Sequence, residues 1–238
     1  MTRVFVAGGA GGVGSGVVTA WLTDGATVLT TSRDEERLVS LQRAASGLPG
    51  RLIATVAPGD RAGLDQLAAE HGPFDAAIAS IGGGGWQLSP LATIDEAMLR
   101  TVIEDGIVAH WSVAAALRPH IRDGGSYVFI NGGAAVEVVP GTGPLSLVAR
   151  AQLALAEIFD AEEQRRIRTH SLILTSPIAT PARGADVPGD WLTPADVGDA
   201  CRRLHLAAPT HVAIRVGTRA EIEQLGGDAP TTPAGPQL

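Results

Sequence analysis

The sequence of 238 residues contains no lysine, one tyrosine and one cysteine. Because all 18 basic residues are arginines, every mechanism that needs a lysine ammonium is excluded. The one cysteine, Cys201, excludes an internal disulfide. Catalysis by this chain must therefore work without a lysine and, apart from Tyr127, without a phenol.

Runs of basic side chains are also missing. The 25 acidic residues outnumber the 18 basic ones, and no basic stripe is available to neutralise phosphates. We therefore expect a small-molecule substrate as the partner, and neither a nucleic acid nor a membrane. The start of the sequence runs into an apolar strand at Val4 without the apolar region of a signal peptide, which predicts a cytoplasmic protein. No metal site is expected.

The composition is typical of a globular protein, with 45% hydrophobic residues, 30 glycines and 15 prolines. The length suits one large core. We predict a single domain over residues 1–225 and a flexible tail, rich in Pro, Thr and Gly, over residues 226–238.

Short β-branched runs alternate with longer amphipathic stretches along the chain. This alternation predicts an α/β fold, a Rossmann-type doubly wound parallel sheet in three α/β/α layers. Ligands bind such folds at the carboxyl edge of the sheet. The predicted strands are Val4–Ala7, Thr27–Thr31, Leu52–Val56, Ala76–Ser80, Tyr127–Asn131, His170–Leu174 and Val212–Val216.

A glycine-rich turn joins the first predicted strand to a helix. Glycines allow the backbone to approach a pyrophosphate, and the helix N-terminus offers it free N–H groups. The spacing Gly8-x-x-x-Gly12-x-Gly14 resembles the motif Thr-Gly-x-x-x-Gly-x-Gly of the short-chain dehydrogenase/reductase family, with Ala7 in place of the threonine. The resemblance implies a dinucleotide held by Gly8, Ala10, Gly11, Gly12, Val13 and Gly14.

Later segments resemble further motifs of the same family. Residues 79–82 stand where the family has Asn-Asn-Ala-Gly, and Pro177–Pro181 resembles the segment whose Ile or Val and Thr hold the nicotinamide carboxamide. For Pro177 and Pro181 themselves, simple stiffening of the loop is an alternative. Ala57 aligns with an aspartate of the family that contacts adenine. The cofactor-binding residues that these matches imply are Ala57, Pro58, Ser80, Ile81, Gly82, Asn131, Ile178 and Thr180.

The end of the second strand indicates which dinucleotide is bound. An NAD site would place a carboxylate there for the ribose 2′-hydroxyl, whereas Ser32 and Arg33 offer a hydroxyl and a guanidinium that suit a 2′-phosphate. The sequence therefore favours NADP(H). Alternatively, Arg33 pairs with carboxylates of the segment 34–36. Asp60 is expected first as a helix N-cap, and a contact to adenine is its secondary role.

The family's main branch uses a Ser, a Tyr, a Lys and a helix Asn in catalysis, and the resemblance gives none of them here. The serine position falls on Gly132 or Gly133, and the asparagine position on Gly106 beside Asp105. The Tyr-x-x-x-Lys pair falls on Leu145 and Ala149 or, as we prefer, on Ser146 and Arg150. Ser146 is then the candidate catalytic residue, but its hydroxyl is a far poorer proton donor than a phenol.

Other ring-bearing residues have two possible roles each. His110, one helical turn beyond Gly106, could face the pocket, but packing or a subunit interface is the commoner role for a single helical histidine. Trp86 and Trp191 could stack on a planar substrate or fill the core. Tyr127 is expected to be a core aromatic residue with a satisfied hydroxyl.

Two functions fit these features. The first is an NADPH-dependent ketone or quinone reductase that acts on a small aromatic or polyketide-like substrate without Tyr-Lys catalysis, its proton coming from water or from the substrate. The second is an inactive dinucleotide-binding sensor or scaffold.

The segments Asp95–Leu117 and Leu147–Asp160 are rich in alanine and leucine, and in the family their equivalents pack against a symmetry mate. We predict a homodimer or homotetramer. Light scattering at micromolar concentration should give at least twice the mass of one chain, and a stable monomer would contradict the prediction.

Overall fold

The computed structural model describes residues 1–58, 60–82, 88–164, 166–184 and 186–225. The predicted tail over residues 226–238 and Trp86 lie outside these ranges. Among the described helices, none is both long enough and apolar enough to cross a membrane.

Seven strands form one parallel sheet in the order β3-β2-β1-β4-β5-β6-β7. This order reverses direction next to β1, which is the arrangement of a doubly wound Rossmann-type sheet. The predicted fold class is therefore confirmed. The strands are β1 (Arg3–Ala7), β2 (Thr27–Ser32), β3 (Arg51–Val56), β4 (Phe74–Ala79), β5 (Ile121–Gly132), β6 (Arg168–Leu174) and β7 (Ala213–Val216).

Strand β5 begins six residues before its predicted start at Tyr127. The added part contains the polar, glycine-containing segment 122–125, which has no strand-like pattern. Ile121 pairs with Phe74, and the register between β4 and β5 then shifts before Ser126 pairs with Ala76. Gly124 allows this irregularity because its φ is +75°.

Helices cover both faces of the sheet and give the three predicted layers. One apolar cluster joins the sheet to α1, α2, α7 and α8, and a second joins the other face to α3, α5 and α6. In α1, the buried residues include Val17, Val18, Trp21 and Leu22, which recur at helical spacing. The helices are α1 (Gly14–Thr23), α2 (Glu35–Ala44), α3 (Arg61–His71), α4 (Glu96–Ile103), α5 (Ala109–Leu117), α6 (Gly143–Glu162), α7 (Pro194–Ala207) and α8 (Arg219–Gln224).

A π-helical turn, Glu104–Val108, joins α4 to α5. It contains Gly106, which is buried. Such turns are rare and are frequent at functional sites, because they change the direction of side chains within one helix. The turn lies at the carboxyl edge of the sheet and contributes to the site described below.

Tyr127 is fully buried in the core, as predicted, but the prediction that its hydroxyl is satisfied is wrong. The hydroxyl has no hydrogen-bond partner among the described residues. The nearby cation, Arg118, lies over the ring instead, with its guanidinium carbon 5.9 Å from the ring centroid. That guanidinium donates its hydrogen bonds to Glu163, Thr169 and the Phe159 carbonyl.

Two buried histidines donate a hydrogen bond to a backbone carbonyl. His110 Nε2 lies 2.9 Å from the Ile81 oxygen, and His170 Nδ1 lies 2.9 Å from the His211 oxygen. Burial lowers the pKa of His110 from its usual 6.5 to about 4, and it also lowers the pKa of His170. Both side chains are therefore neutral in the folded protein near neutrality.

This neutrality makes the fold sensitive to mild acid. Below pH 6.5 the unfolded chain takes up protons that the folded chain does not, so stability falls as the pH falls from about 6.5 towards 4. His110 alone should reduce the free energy of unfolding by about 2 kcal/mol between pH 7.5 and pH 5. Urea unfolding at the two pH values should show a smaller loss in His110→Gln than in the wild type, and equal losses would contradict the assignment.

Candidate functional site

The carboxyl edge of the sheet contains a cavity of about 500 Å³. It lies beyond the ends of β1 to β4, between those strand ends and the helical stretch around the π-turn. This is the position in which a doubly wound sheet binds its ligand. The cavity is lined by Ala7, Gly8, Gly11, Thr31, Ser32, Arg33, Asp34, Arg37, Ala57, Pro58, Asp60, Arg61, Leu64, Ser80, Ile81, Gly82, Glu104, Asp105, Val108, Ala109, Ser112 and Val113.

Gly8 opens the turn after β1 with a φ of +77°, in the region that favours glycine. A Cβ atom at this position would lie 2.4 Å from the Ser80 carbonyl oxygen. The Gly8 N–H also donates to the Thr31 carbonyl at 2.9 Å. A side chain here is excluded, and the turn lies directly between the ends of β2 and β4.

The turn leaves main-chain donors free before α1. Within the described chain, the N–H groups of Gly12 and Val13 have no acceptor. The helix that follows starts at Gly14 and has no side-chain cap, so its positive end is also open. These groups suit an anionic pyrophosphate. A Cβ on Gly12 would lie 3.2 Å from the Cβ and methyl carbon of Thr180, so the turn closely approaches the loop after β6.

The end of β2 and the first turn of α2 present a hydroxyl and two guanidinium groups to the cavity. Ser32 Oγ accepts a hydrogen bond from the Asp34 N–H at 3.1 Å, and its own proton has no acceptor among the described residues. Both carboxylate oxygens of Asp34 are occupied by Arg37, one by its N–H and one by its Nε, each at 3.0 Å. Arg33 makes no ion pair in the described part of the chain, so its predicted alternative role with residues 34–36 is not observed there. The lining elsewhere also contains carboxylates, so the cavity carries charge of both signs, and its cations on this wall are Arg33 and Arg37.

The opposite wall is formed by the segment after β3 and by α3. Asp60 is the N-cap of α3, as predicted, and its Oδ1 accepts from the Gly63 N–H at 2.8 Å. Arg61 lines the cavity and stacks on Trp111, with its guanidinium carbon 5.3 Å from the ring centroid. Trp111 is 41% exposed.

Most residues that the sequence predicts as cofactor ligands surround this cavity. Those that line it are Gly8, Gly11, Ser32, Arg33, Ala57, Pro58, Ser80, Ile81 and Gly82. Those that do not line it are Ala10, Gly12, Val13, Gly14, Asn131, Ile178 and Thr180. The second group belongs to the pyrophosphate turn and to the nicotinamide side of the predicted site.

Both polar atoms of the Asn131 side chain form hydrogen bonds within the protein. Its amide nitrogen donates to the Ala149 carbonyl at 2.8 Å and to Ser171 Oγ at 3.2 Å, and its oxygen accepts from the Gly132 N–H at 2.8 Å. These bonds tie β5 to α6 and β6. The side chain can therefore shape the site only by fixing those elements.

Sequence reasoning did not identify Arg37, Arg61 or Ser112 in the lining. Arg37 follows Arg33 by four residues and Asp34 opens the helix between them, so both guanidinium groups emerge at one helix end. Arg61 directly follows the N-cap Asp60, so its place at a helix start could also have been predicted from the sequence. No sequence pattern indicates that Ser112 lines the cavity, because its position depends on the π-turn.

The candidate catalytic residue Ser146 lies near the start of α6 and is 5% exposed. Its Oγ lies 2.9 Å from Thr142 Oγ1, which itself lies 2.7 Å from the Val139 carbonyl and donates to it. Because the Thr142 hydroxyl has one proton and gives it to Val139, Ser146 must donate to Thr142. The Ser146 proton is therefore already committed, and the oxygen is left as an acceptor. Sequence reasoning missed Thr142.

The other side chains near the predicted catalytic edge also have partners. Arg150 Nη2 lies 3.5 Å from the Val136 carbonyl. Trp191 is half-buried, and Arg183 covers its ring at 5.2 Å from the centroid. His110 is buried within the protomer and stacks on Phe129, with ring centroids 6.1 Å apart. With its pKa at about 4, His110 is neutral near neutrality and cannot serve there as a general acid.

Comparison with known proteins identifies the family. The sequence profile described as enoyl-(acyl carrier protein) reductase matches residues 8–205, which is more than half of the chain. The chain therefore belongs to the short-chain dehydrogenase/reductase family. No curated protein matches it in sequence.

Solved structures agree with this fold. A short-chain dehydrogenase/reductase from Serratia marcescens has a TM-score of 0.79 at 18% identity, with 92% of this chain and 98% of that chain covered. A Brucella melitensis protein described as a short-chain dehydrogenase/reductase, glucose/ribitol dehydrogenase, has a TM-score of 0.78 at 17% identity over 97% of each chain. A dehydrogenase/reductase from Sinorhizobium meliloti has a TM-score of 0.77 at 22% identity, covering 91% and 93%.

Proposed function

We propose that the protein is an NADPH-dependent oxidoreductase, a ketone or quinone reductase for a small aromatic or polyketide-like substrate. The observation that carries the cofactor choice is the pair Ser32 and Arg33 on one cavity wall, a hydroxyl proton and a guanidinium that have no partner among the described residues. A 2′-phosphate can accept from both groups in charge-assisted bonds. Arg37 adds a second guanidinium to the same wall.

The cavity and the turn beside it fit the parts of a dinucleotide. Gly8 allows close backbone approach, and Gly12 and Val13 offer N–H groups without an acceptor in the described chain for the pyrophosphate. Ala57, Pro58 and the segment 80–82 after β4 would contact the adenosine. Ile178 and Thr180, in the loop after β6, would hold the carboxamide. When bound, NADPH supplies the hydride that reduces the substrate.

The reduced oxygen of the substrate also needs a proton, and the two hydroxyl groups at the start of α6 do not supply it readily. Ser146 donates to Thr142, and Thr142 donates to Val139, so neither proton is free. We therefore assign the proton to water or to a hydroxyl of the substrate beside the carbonyl, while the protein positions the reactants and excludes solvent.

A dinucleotide-binding sensor or scaffold without catalysis is the second candidate. It is favoured by the lining of the cavity, which among the described residues includes neither Ser146 nor Thr180. Consumption of NADPH in the presence of a panel of ketones and quinones separates the two candidates, because a sensor binds the dinucleotide without consuming it.

The cofactor preference is testable by titration. NADPH should bind more tightly than NADH, and Arg33→Ala should weaken NADPH by about 10- to 100-fold, since a hydrogen bond to a charged group contributes about 1.5–3 kcal/mol. NADH binding should stay within about twofold because it lacks the phosphate. Arg43→Ala, at the far end of α2, is the matched control and should change neither affinity. If the wild type and Arg33→Ala prefer NADPH over NADH equally, Arg33 does not bind the 2′-phosphate.

The source of the proton is testable with Ser146→Ala and a blocked substrate. Loss of one neutral hydrogen bond should reduce turnover by about tenfold or less, whereas loss of a general acid typically costs about 100- to 10,000-fold. The substrate pair is a naphthoquinone with a hydroxyl beside the carbonyl, and its methyl ether. If the substrate hydroxyl supplies the proton, the ether should not be reduced, whereas reduction of the ether together with the small loss in Ser146→Ala indicates water. NADPH binding should be unchanged in both cases. A large loss in Ser146→Ala with the ether still reduced would show that the protein supplies the proton.

A further inference from the structure

His110 connects two walls of the cavity through one hydrogen bond. It lies on α5, and its Nε2 is 2.9 Å from the carbonyl oxygen of Ile81, twenty-nine residues earlier in the chain. Ile81 and Gly82 line the cavity on the β4 side, and Ala109 and Ser112, beside His110 in the sequence, line it from α5. The distance between these walls therefore depends on this contact.

The direction of the bond defines the protonation of the ring. A carbonyl oxygen can only accept, so the Nε2 atom carries the proton and donates it. The Nδ1 atom is buried and has no partner within the described chain. The ring is 1% exposed and stacks on Phe129 of β5. A buried polar atom without a partner costs stability, so a purely apolar ring would pack here at lower cost.

We infer that His110 is a positioning residue of the dinucleotide site, which holds the Ile81 carbonyl and so fixes the segment 80–82 against the adenosine half of the ligand. This inference rests on the proposed function. His110 does not line the cavity and touches no reacting atom. Its effect is transmitted through Ser80, which precedes Ile81 and whose carbonyl oxygen would lie 2.4 Å from a Cβ on Gly8.

The test compares substitutions that retain or remove the donor. The amide nitrogen of His110→Gln lies as many bonds from the Cα as Nε2 does and can reach the Ile81 carbonyl, whereas that of His110→Asn is one bond too short. His110→Leu is apolar and removes the donor. The dissociation constant of NADPH and the melting temperature are measured for each variant.

His170→Leu is the matched control. It removes an equivalent bond from a buried histidine to a backbone carbonyl, on β6 and away from the cavity. We expect it to lower the melting temperature and to leave the dissociation constant of NADPH within twofold of the wild type.

For His110 we expect a different pattern. His110→Asn and His110→Leu should weaken the binding of NADPH by about fivefold or more, because each removes one neutral hydrogen bond. His110→Gln should keep the affinity for NADPH within about twofold of the wild type, because it retains the donor. If the histidine only fills space, Leu should preserve affinity better than Gln, which would overturn the inference. If Leu does not fold, equal affinities of the Gln and Asn variants would overturn it.

The two proposals fail differently. Wild-type protein that binds no NADPH overturns the proposed function and this inference together. Wild-type protein that binds NADPH with the same affinity as His110→Asn overturns only the role of His110.

Discussion

Main-chain hydrogen bonds continue beyond the ends of neighbouring strands, and the cavity depends on them. The N–H groups of Gly8, Ser80 and Ala57 donate across to Thr31, Ala7 and Ser32, each at 2.9 Å, after the strands themselves have ended. Because these bonds join main-chain groups only, they hold the starts of three loops side by side without help from side chains. Glycine at position 8 is required because the Ser80 carbonyl occupies the space of a Cβ.

This constraint separates two regions at the carboxyl edge of the sheet. The turn from Gly8 to Gly14 is positioned by the backbone, and Ser32 and Arg33 reach the cavity from the end of β2. Near the start of α6, in contrast, the arrangement depends on individual side chains, because Ser146 donates to Thr142 and Thr142 donates to the Val139 carbonyl. Both hydroxyl protons are therefore used within the protein.

The fold was predictable because its determinants are local and periodic. Strand alternation, the turn from Gly8 to Gly14 and the N-cap at Asp60 can all be recognised within a few residues. The predicted start of β5 was wrong because a bulge at polar residues and glycines follows no such pattern. Arg37, Ser112 and Thr142 were missed since their roles depend on helix phase or on contacts across loops. The Tyr127 hydroxyl, which has no partner among the described residues, could not be predicted either, because its surroundings are set by tertiary packing.

The stacking of Arg61 on Trp111 has a practical consequence for spectroscopy. The indole lies on the protein surface while its cationic partner belongs to the lining of the cavity, so the two environments are linked by one guanidinium. An anionic ligand that drew Arg61 into the cavity would take its charge from the face of the indole. The emission of Trp111 would then report occupancy of the cavity without direct contact with the ligand.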